Sequence, residues 1–369
     1  MFSVEMLPAK RGDCLWIEYG DAAAPKRILI DGGLASTGRM IRERLEALPE
    51  DQRRFELVVI SHIDLDHIGG VLELLRRPPS GLKIDDFWFN GWDELVAARS
   101  VASAAGVLGP KQGEAVSWYI DQLSIPHNIQ FGGGPVIRMA DADPPVKELD
   151  GGMKLTVLGP TPERLDDLQR VWKKKIESLN LTPGQAGEVL EAPDEEPDVA
   201  GVLGNPKIAA LLAADFKEDK SEANGSSIAL LLEYEDRQFL ASGDALACDL
   251  SKACHQLAAT SGTPRLKLTA AKLSHHGGKK NTSVDLVQNL FCRHWFVSTD
   301  GSSYKHPNGE SLARVIRHSA CPRPVLHFNY NSDDNAFWRK KPLQREEKFS
   351  SNSPAPGSEG LEVRLDELT

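Results

Sequence analysis

Over the first ninety positions the apolar residues switch between two spacings. At 14–20 (CLWIEYG) apolar and polar residues roughly alternate, the period of a strand. At 26–33 (KRILIDGG) and 54–60 (RFELVVI) the apolar residues run together, and the second run is β-branched, as in a strand buried on both faces. Between these runs, Met40, Ile41, Leu45 and Leu48 recur at helical spacing across 38–51. A second helix is expected to start near Gly69 and to stop at PPSG (78–81). Residues 82–91 (LKIDDFWFNG) then read as another strand. Strand, helix, strand, loop, helix, strand is the alternation of layered α/β packing. The loop after 54–60 lies where such sheets place their sites, at the carboxyl end of a strand.

The middle of the chain, about 92–222, reads as an insertion. Helices are expected within 92–109, 113–125 and 162–180, and an exposed acidic, proline-containing loop at 191–201. Strand signals return from 226. SSIALLLEY (226–234) and RQFLASGDA (237–245) form an expected hairpin joined by EDR. Further strands are expected before the histidine pair in RLKLTAAKLSHHGGKK (265–280), at 294–301, in 324–333 and in 360–368, the last two separated by a Ser/Pro/Gly-rich loop at 350–360. There is no internal repeat.

Composition narrows the class. The chain has 369 residues, 41% apolar and 26% charged, enough to bury a sizeable core. The net charge of −10 argues against a broadly basic, nucleic-acid-coating surface. Cys14, Cys248, Cys254, Cys292 and Cys321 are odd in number and none has CxxC spacing, which suits reduced thiols in a cytoplasmic protein. The opening MFSVEMLPAKRGD has no basic start followed by an apolar run, so no signal peptide is expected, and no apolar stretch suggests a membrane span.

The chemistry concentrates in SHIDLDHIGG (61–70). His62, Asp64, Asp66 and His67 put two imidazoles and two carboxylates within six positions, the natural donors for Zn²⁺, Mn²⁺ or Fe²⁺. A polar turn with helix-capping aspartates would use the same residues. Three more stretches favour the metal site because each also follows an apolar strand. They are Asp244 in LASGDA, His275 and His276 in KLSHHGGKK, and His306 in YKHPNG. His294 and His327 read as ordinary strand histidines.

Together these motifs resemble the metallo-β-lactamase fold superfamily of metal-dependent hydrolases, over about 1–91 and 222–320. Asp31 in ILIDGG resembles that family's strand-end aspartate. His62, Asp64, Asp66 and His67 resemble its HxHxDH block with Asp64 replacing a histidine, and Asp244 resembles its bridging carboxylate. HxDxDH, HHG, the early GD in KRGDCLWIEY and Asn224 in NGSSIALLLEY are similar to one branch. That branch contains the hydrolase domain of the competence DNA-uptake channel and the choline-phosphate esterases. Asn224 falls where other members carry a metal-binding histidine. Two features depart from the branch: Gly278 stands where HHGS is usual, and Asn308 follows His306-Pro307 where HPH is frequent.

The resemblance implies a single-domain αββα sandwich, two mixed sheets flanked by helices, with a largely helical insertion. It implies two divalent ions, Zn²⁺ or Mn²⁺, and a bridging water as nucleophile. One ion would be held by His62 and Asp64, the other by Asp66, His67 and one of His275 and His276, with Asp244 between. Asp64 makes the site harder and favours Mn²⁺ more than an all-histidine set would. Asp66 is the expected proton acceptor. The proton for the leaving oxygen would come from the non-ligating member of the 275–276 pair or from His306. Lys279 and Lys280 either attract a phosphate or lie on a solvated loop.

The expected function is a phosphodiesterase or nuclease acting on a small molecule or a nucleic acid. Near the site there is no interleaving of aromatic and basic residues; only WRKK (338–341) suggests a nucleic-acid contact. Two alternatives stay open. One is hydrolysis of a lactone or amide. The other is a subunit whose 92–222 insertion binds a protein partner, with catalysis secondary.

Overall fold

The computed structural model describes residues 1–98, 110–185, 207–302 and 305–368. Two mixed sheets stack face to face with helices outside both. The first sheet runs Leu361–Arg364, Phe2–Met6, Leu15–Tyr19, Lys26–Ile30, Leu57–Val59, Phe87–Trp88 in spatial order. The second runs Ser350–Asn352, Val325–Phe328, Leu290–Val297, Leu266–Lys272, Arg237–Ala241, Ala229–Tyr234, Met153–Gly159, Val146–Leu149. This is the expected αββα arrangement.

The strand period explains the layering. Leu15, Ile17 and Tyr19 face the second sheet, where Leu155, Leu230, Phe239 and Phe296 meet them. Cys14 and Trp16 face the other way, into the layer of helices. In Leu57–Val59 both faces are buried: Leu57 and Val59 join the inter-sheet core, while Val58 packs under Ile41, Leu45, Ile68 and Leu72. Those four belong to the helices Ala35–Glu46 and Leu65–Arg76. The two helices touch through glycines. A Cβ at Gly70 would lie 1.9 Å from the Gly32 carbonyl oxygen, and one at Gly38 would lie 2.2 Å from that of Gly70. The HIGG glycines are thus needed for close packing. On the far side, Ala247–Thr260 and Gly309–His318 bury Leu250, Cys254, Leu312 and Val315 against the second sheet.

Several boundaries differ from the sequence reading. The helix expected near Gly69 starts at Leu65, one turn earlier, because the Asp64 carbonyl already accepts from the N–H groups of His67 and Ile68. Asp66 and His67 therefore sit on a helix. The strand expected at 54–60 breaks at Glu56 into Arg54–Phe55, paired with Lys83–Ile84, and Leu57–Val59 in the main sheet. The strand expected at 82–91 is divided in the same way, into Lys83–Ile84 and Phe87–Trp88. The segment expected as a loop at 350–360 begins with the strand Ser350–Asn352.

The middle region carries the helices Trp92–Ala97, Pro110–Gln122 and Pro162–Glu177. It also supplies Val146–Leu149 and Met153–Gly159, which form one edge of the second sheet. The loop expected at 191–201 and the helical stretch expected over 99–109 lie outside the described residues. Each of the five cysteines is a free thiol. Among the described residues, no helix is long and apolar enough to cross a membrane.

Candidate metal centre

Parallel pairing brings the motifs together. Lys26–Ile30 and Leu57–Val59 are parallel neighbours, so the loops carrying Asp31 and His62 leave the first sheet at the same end. Arg237–Ala241 and Leu266–Lys272 are parallel neighbours in the second sheet, so Asp244 and the His275–His276 pair emerge together too. The two sheets are tied there by the Ile228 N–H donating to the Ser61 carbonyl at 2.8 Å. Both His275 and His276 adopt left-handed backbone, with φ of 50° and 54°. That conformation is disfavoured for side-chain-bearing residues, and such backbone clusters at functional sites.

Asp244 is the hub. Its Oδ2 lies 3.3 Å from His67 Nε2, 3.6 Å from His276 Nε2, 3.7 Å from His275 Nε2 and 3.9 Å from His62 Nε2. Asp66 Oδ2 lies 3.6 Å from His276 Nε2, and Asp64 Oδ2 3.6 Å from His62 Nε2. The Nε2 atoms of His62, His67 and His276 and the Oδ1 of Asp244 are buried without a hydrogen-bond partner among the described residues. Buried polar atoms left this way are costly unless something satisfies them. Nitrogen and oxygen atoms converging at these separations are a donor set that fits a divalent cation.

A second layer fixes each ring. Asp31 Oδ2 lies 2.8 Å from His67 Nδ1, and Asp31 also accepts from the Ser61 N–H and hydroxyl, both at 2.7 Å. Ser61 Oγ is 3.0 Å from His62 Nδ1. His276 Nδ1 meets the Ser298 carbonyl at 3.0 Å, and His275 Nδ1 meets Asn281 Oδ1 at 3.0 Å. With every Nδ1 engaged, the four Nε2 atoms point inward, as in sites where outer groups orient metal-binding histidines. Both members of the 275–276 pair therefore present a donor atom.

Behind the cluster is a buried ion pair, Asp13 with Lys272, each side chain 1% exposed. Lys272 also donates to the Gly243 carbonyl at 3.0 Å and lies 3.9 Å from Asp244 Oδ1. Asp13 approaches His276 Nδ1 at 3.3 Å. Donor atoms of Asp13, His67, Asp244 and His276 all fall within 4.8 Å of one another. Because the Lys272 ammonium occupies one side of Asp13, this carboxylate acts as a counter-charge and positioning group. A Cβ at Gly12 would lie 1.8 Å from the Asp66 carbonyl oxygen, so the GD segment can only pass this close as glycine.

The charges are strongly coupled. Burial pushes the Asp13 carboxyl up, but Lys272 and His276 hold it at about 2. Burial pushes His276 down, but Asp13 and Asp244 raise it to about 9. By the same opposition His67 is raised well above its ordinary range by Asp244 and Asp31, and Asp244 is held well below its own by His67 and His276. His306 is pushed well down by burial and by the neighbouring His275 and His276.

The cluster opens into a cavity of about 730 Å³. His306 lines it, its ring centroid 4.9 Å from that of His275. Asn224 also lines it; its amide donates to Asp219 Oδ2 at 2.6 Å and lies 3.3 Å from His275 Nδ1. It thus supports a histidine. Lys279 and Lys280 both line the cavity, but Lys279 is held by Glu310 at 3.0 Å. Asp13, Lys272, Asp219 and Asn281 were not among the expected site residues. Asp13 and Lys272 lie inside the GD and KLSHHGG motifs and could have been found there, whereas Asp219 and Asn281 carry no signal beyond proximity in the fold.

Residues 11–153 match the family model described as the metallo-beta-lactamase superfamily. Among solved structures, the chain is similar to a metallo-beta-lactamase HARLDQ motif mutant S60 from Cronobacter sakazakii, at 20% identity and a TM-score of 0.20, covering 39% of this chain and 45% of that one. It is similar to the metallo-beta-lactamase fold protein YhfI from Bacillus subtilis at 11% identity and a TM-score of 0.36, covering 98% of each. A third is MEM-A1, a subclass B3 metallo-beta-lactamase from a soil metagenome library, at 17% identity and a TM-score of 0.21, covering 42% of this chain and 52% of that one. The chain therefore spans about half the length of the first and third. No curated protein matches it.

Proposed function

We propose that this chain, with its metallo-β-lactamase-superfamily fold, is a two-metal hydrolase of phosphodiesters. The observation that carries the reading is the convergence of four histidine Nε2 atoms on Asp244 Oδ2, flanked by Asp64 and Asp66. His62 and Asp64 would hold one ion, and Asp66, His67 and the 275–276 pair the other, with Asp244 shared. The carboxylates from Asp64, Asp66 and Asp244 suit Mn²⁺ as well as Zn²⁺. Bound divalent cations would acidify a water and offset charge on the ester group.

The chain's own residues supply the rest. Asp66 lines the cavity and is kept ionised by His276 and His67 against burial, so it offers a carboxylate to a metal or to the proton of a bound water. His306 lies beside His275 and lines the cavity, where its imidazole, kept neutral by burial and the neighbouring rings, can give a hydrogen bond to a leaving oxygen. Asp31, Ser61, Ser298 and Asn281 keep the imidazoles oriented.

A phosphodiester is favoured over a lactone or amide because the donor set would hold two divalent ions, which suit an in-line displacement at phosphorus. Similarity to the branch with HxDxDH and HHG points the same way. A small substrate is favoured over a nucleic-acid strand, because no Phe, Trp or Tyr is among the described lining residues to stack bases. The complete donor set argues against a subunit that has lost catalysis. Hydrolysis of bis(p-nitrophenyl) phosphate with added Mn²⁺ or Zn²⁺ tests the reading. Release of p-nitrophenolate is expected, and its absence alongside turnover of a lactone or amide would replace the assignment.

A further inference from the structure

We propose that Lys111 and Lys175 form a subsite for a second anionic group, so that the substrate is a compact phosphodiester carrying at least one further phosphate. This rests on the phosphodiesterase reading and extends it to substrate class.

The carboxylates of Asp64, Asp66 and Asp244 face the metal centre, and Asp219 is engaged by the amides of Asn224 and Asn281 at 2.6 and 3.0 Å. Once divalent ions offset the first three, cations outnumber carboxylates among the described lining residues. Lys279 is answered by Glu310. Among the described residues, Lys111 and Lys175 make no ion pair. A diester carries one negative charge and would sit at the metals, so these cations call for another anion.

The two lysines also stand on helices that brace each other. Lys111 lies two residues before Gly113, and Lys175 three after Trp172. A Cβ at Gly113 would come within 2.1 Å of the Trp172 ring, so the helices Pro110–Gln122 and Pro162–Glu177 meet in direct contact there. Trp172 Nε1 donates to Glu114 at 2.8 Å and locks that contact. The middle region thereby presents two lysines from a braced pair of helices to a cavity of about 730 Å³, within the roughly 300–1,000 Å³ typical of small-molecule sites. Cations placed in this way select phosphate-bearing ligands.

The test compares thymidine 5′-(p-nitrophenyl phosphate) with its 3′-phosphorylated form, using metal-loaded wild type and the double variant Lys111→Gln, Lys175→Gln. The variant is expected to raise KM for the 3′-phosphorylated substrate about tenfold or more, with kcat and the unphosphorylated substrate within about twofold. Equal changes for both substrates, or none, would overturn the subsite. If wild type cleaves neither, the phosphodiesterase reading fails separately. Calorimetric binding of inorganic tripolyphosphate to both metal-loaded proteins then decides the subsite: weaker binding by the variant supports it, and equal binding refutes it.

Discussion

Asp31 Oδ2 sits 2.8 Å from His67 Nδ1, and the same oxygen receives the Ser61 hydroxyl. One carboxylate therefore fixes the ring of His67 directly and that of His62 through Ser61. Asp31 reaches this place in left-handed backbone, φ 60°, which Asn also tolerates. Asp31→Asn should keep the fold while weakening ring orientation. Metal affinity, measured by competition with a chromophoric chelator, should fall by about 10–100-fold. Unchanged affinity would remove Asp31 from the site.

The buried Asp13–Lys272 pair makes a different prediction. Removing one partner leaves the other charge uncompensated where neither side chain reaches solvent. Lys272→Met should destabilise the metal-free protein by about 3–5 kcal/mol in urea unfolding. Adding Asp13→Asn should recover much of that loss. If the two changes are simply additive, Lys272 is not the counter-charge of Asp13.

His294 and His327 lie away from the metal cluster, with Nδ1 and Nε2 3.0 Å apart. Burial and then the His294 ring push His327 down from 6.5 to about 3. The unfolded chain therefore takes up the proton first between those values, and His327 weakens the native state as pH falls through that window. His327→Gln should leave metal content unchanged. It should flatten the acid-side loss of stability by up to about 1.4 kcal/mol per pH unit. An emptied metal site in this variant would show that the donor set is misassigned.

The pattern of strands, and the residues that converge around Asp244, could be read from sequence because each motif combined a local period with an unusual cluster of side chains. The start of the helix at Leu65 could not, because it depends on backbone hydrogen bonds to the Asp64 carbonyl, with no Asp64 side-chain cap to mark it. The division of 54–60 at Glu56 follows from side-by-side pairing with Lys83–Ile84, a tertiary contact. In the site, sequence indicated Asp244 and the histidines but left the 275–276 pair unresolved. Their Nδ1 atoms meet Asn281 and Ser298, which leaves both Nε2 atoms turned toward Asp244. Asp219 reaches the cluster only because the end of the middle region folds back over His275, at 3.6 Å from its Nδ1.

The most direct test is elemental analysis of the purified protein beside Asp244→Asn, paired with bis(p-nitrophenyl) phosphate turnover. The account predicts about two divalent ions per chain with turnover in the wild type, and loss of both metal and activity in the variant. A wild type that neither retains metal nor turns over after reconstitution, or a variant that keeps full metal and activity, would contradict it.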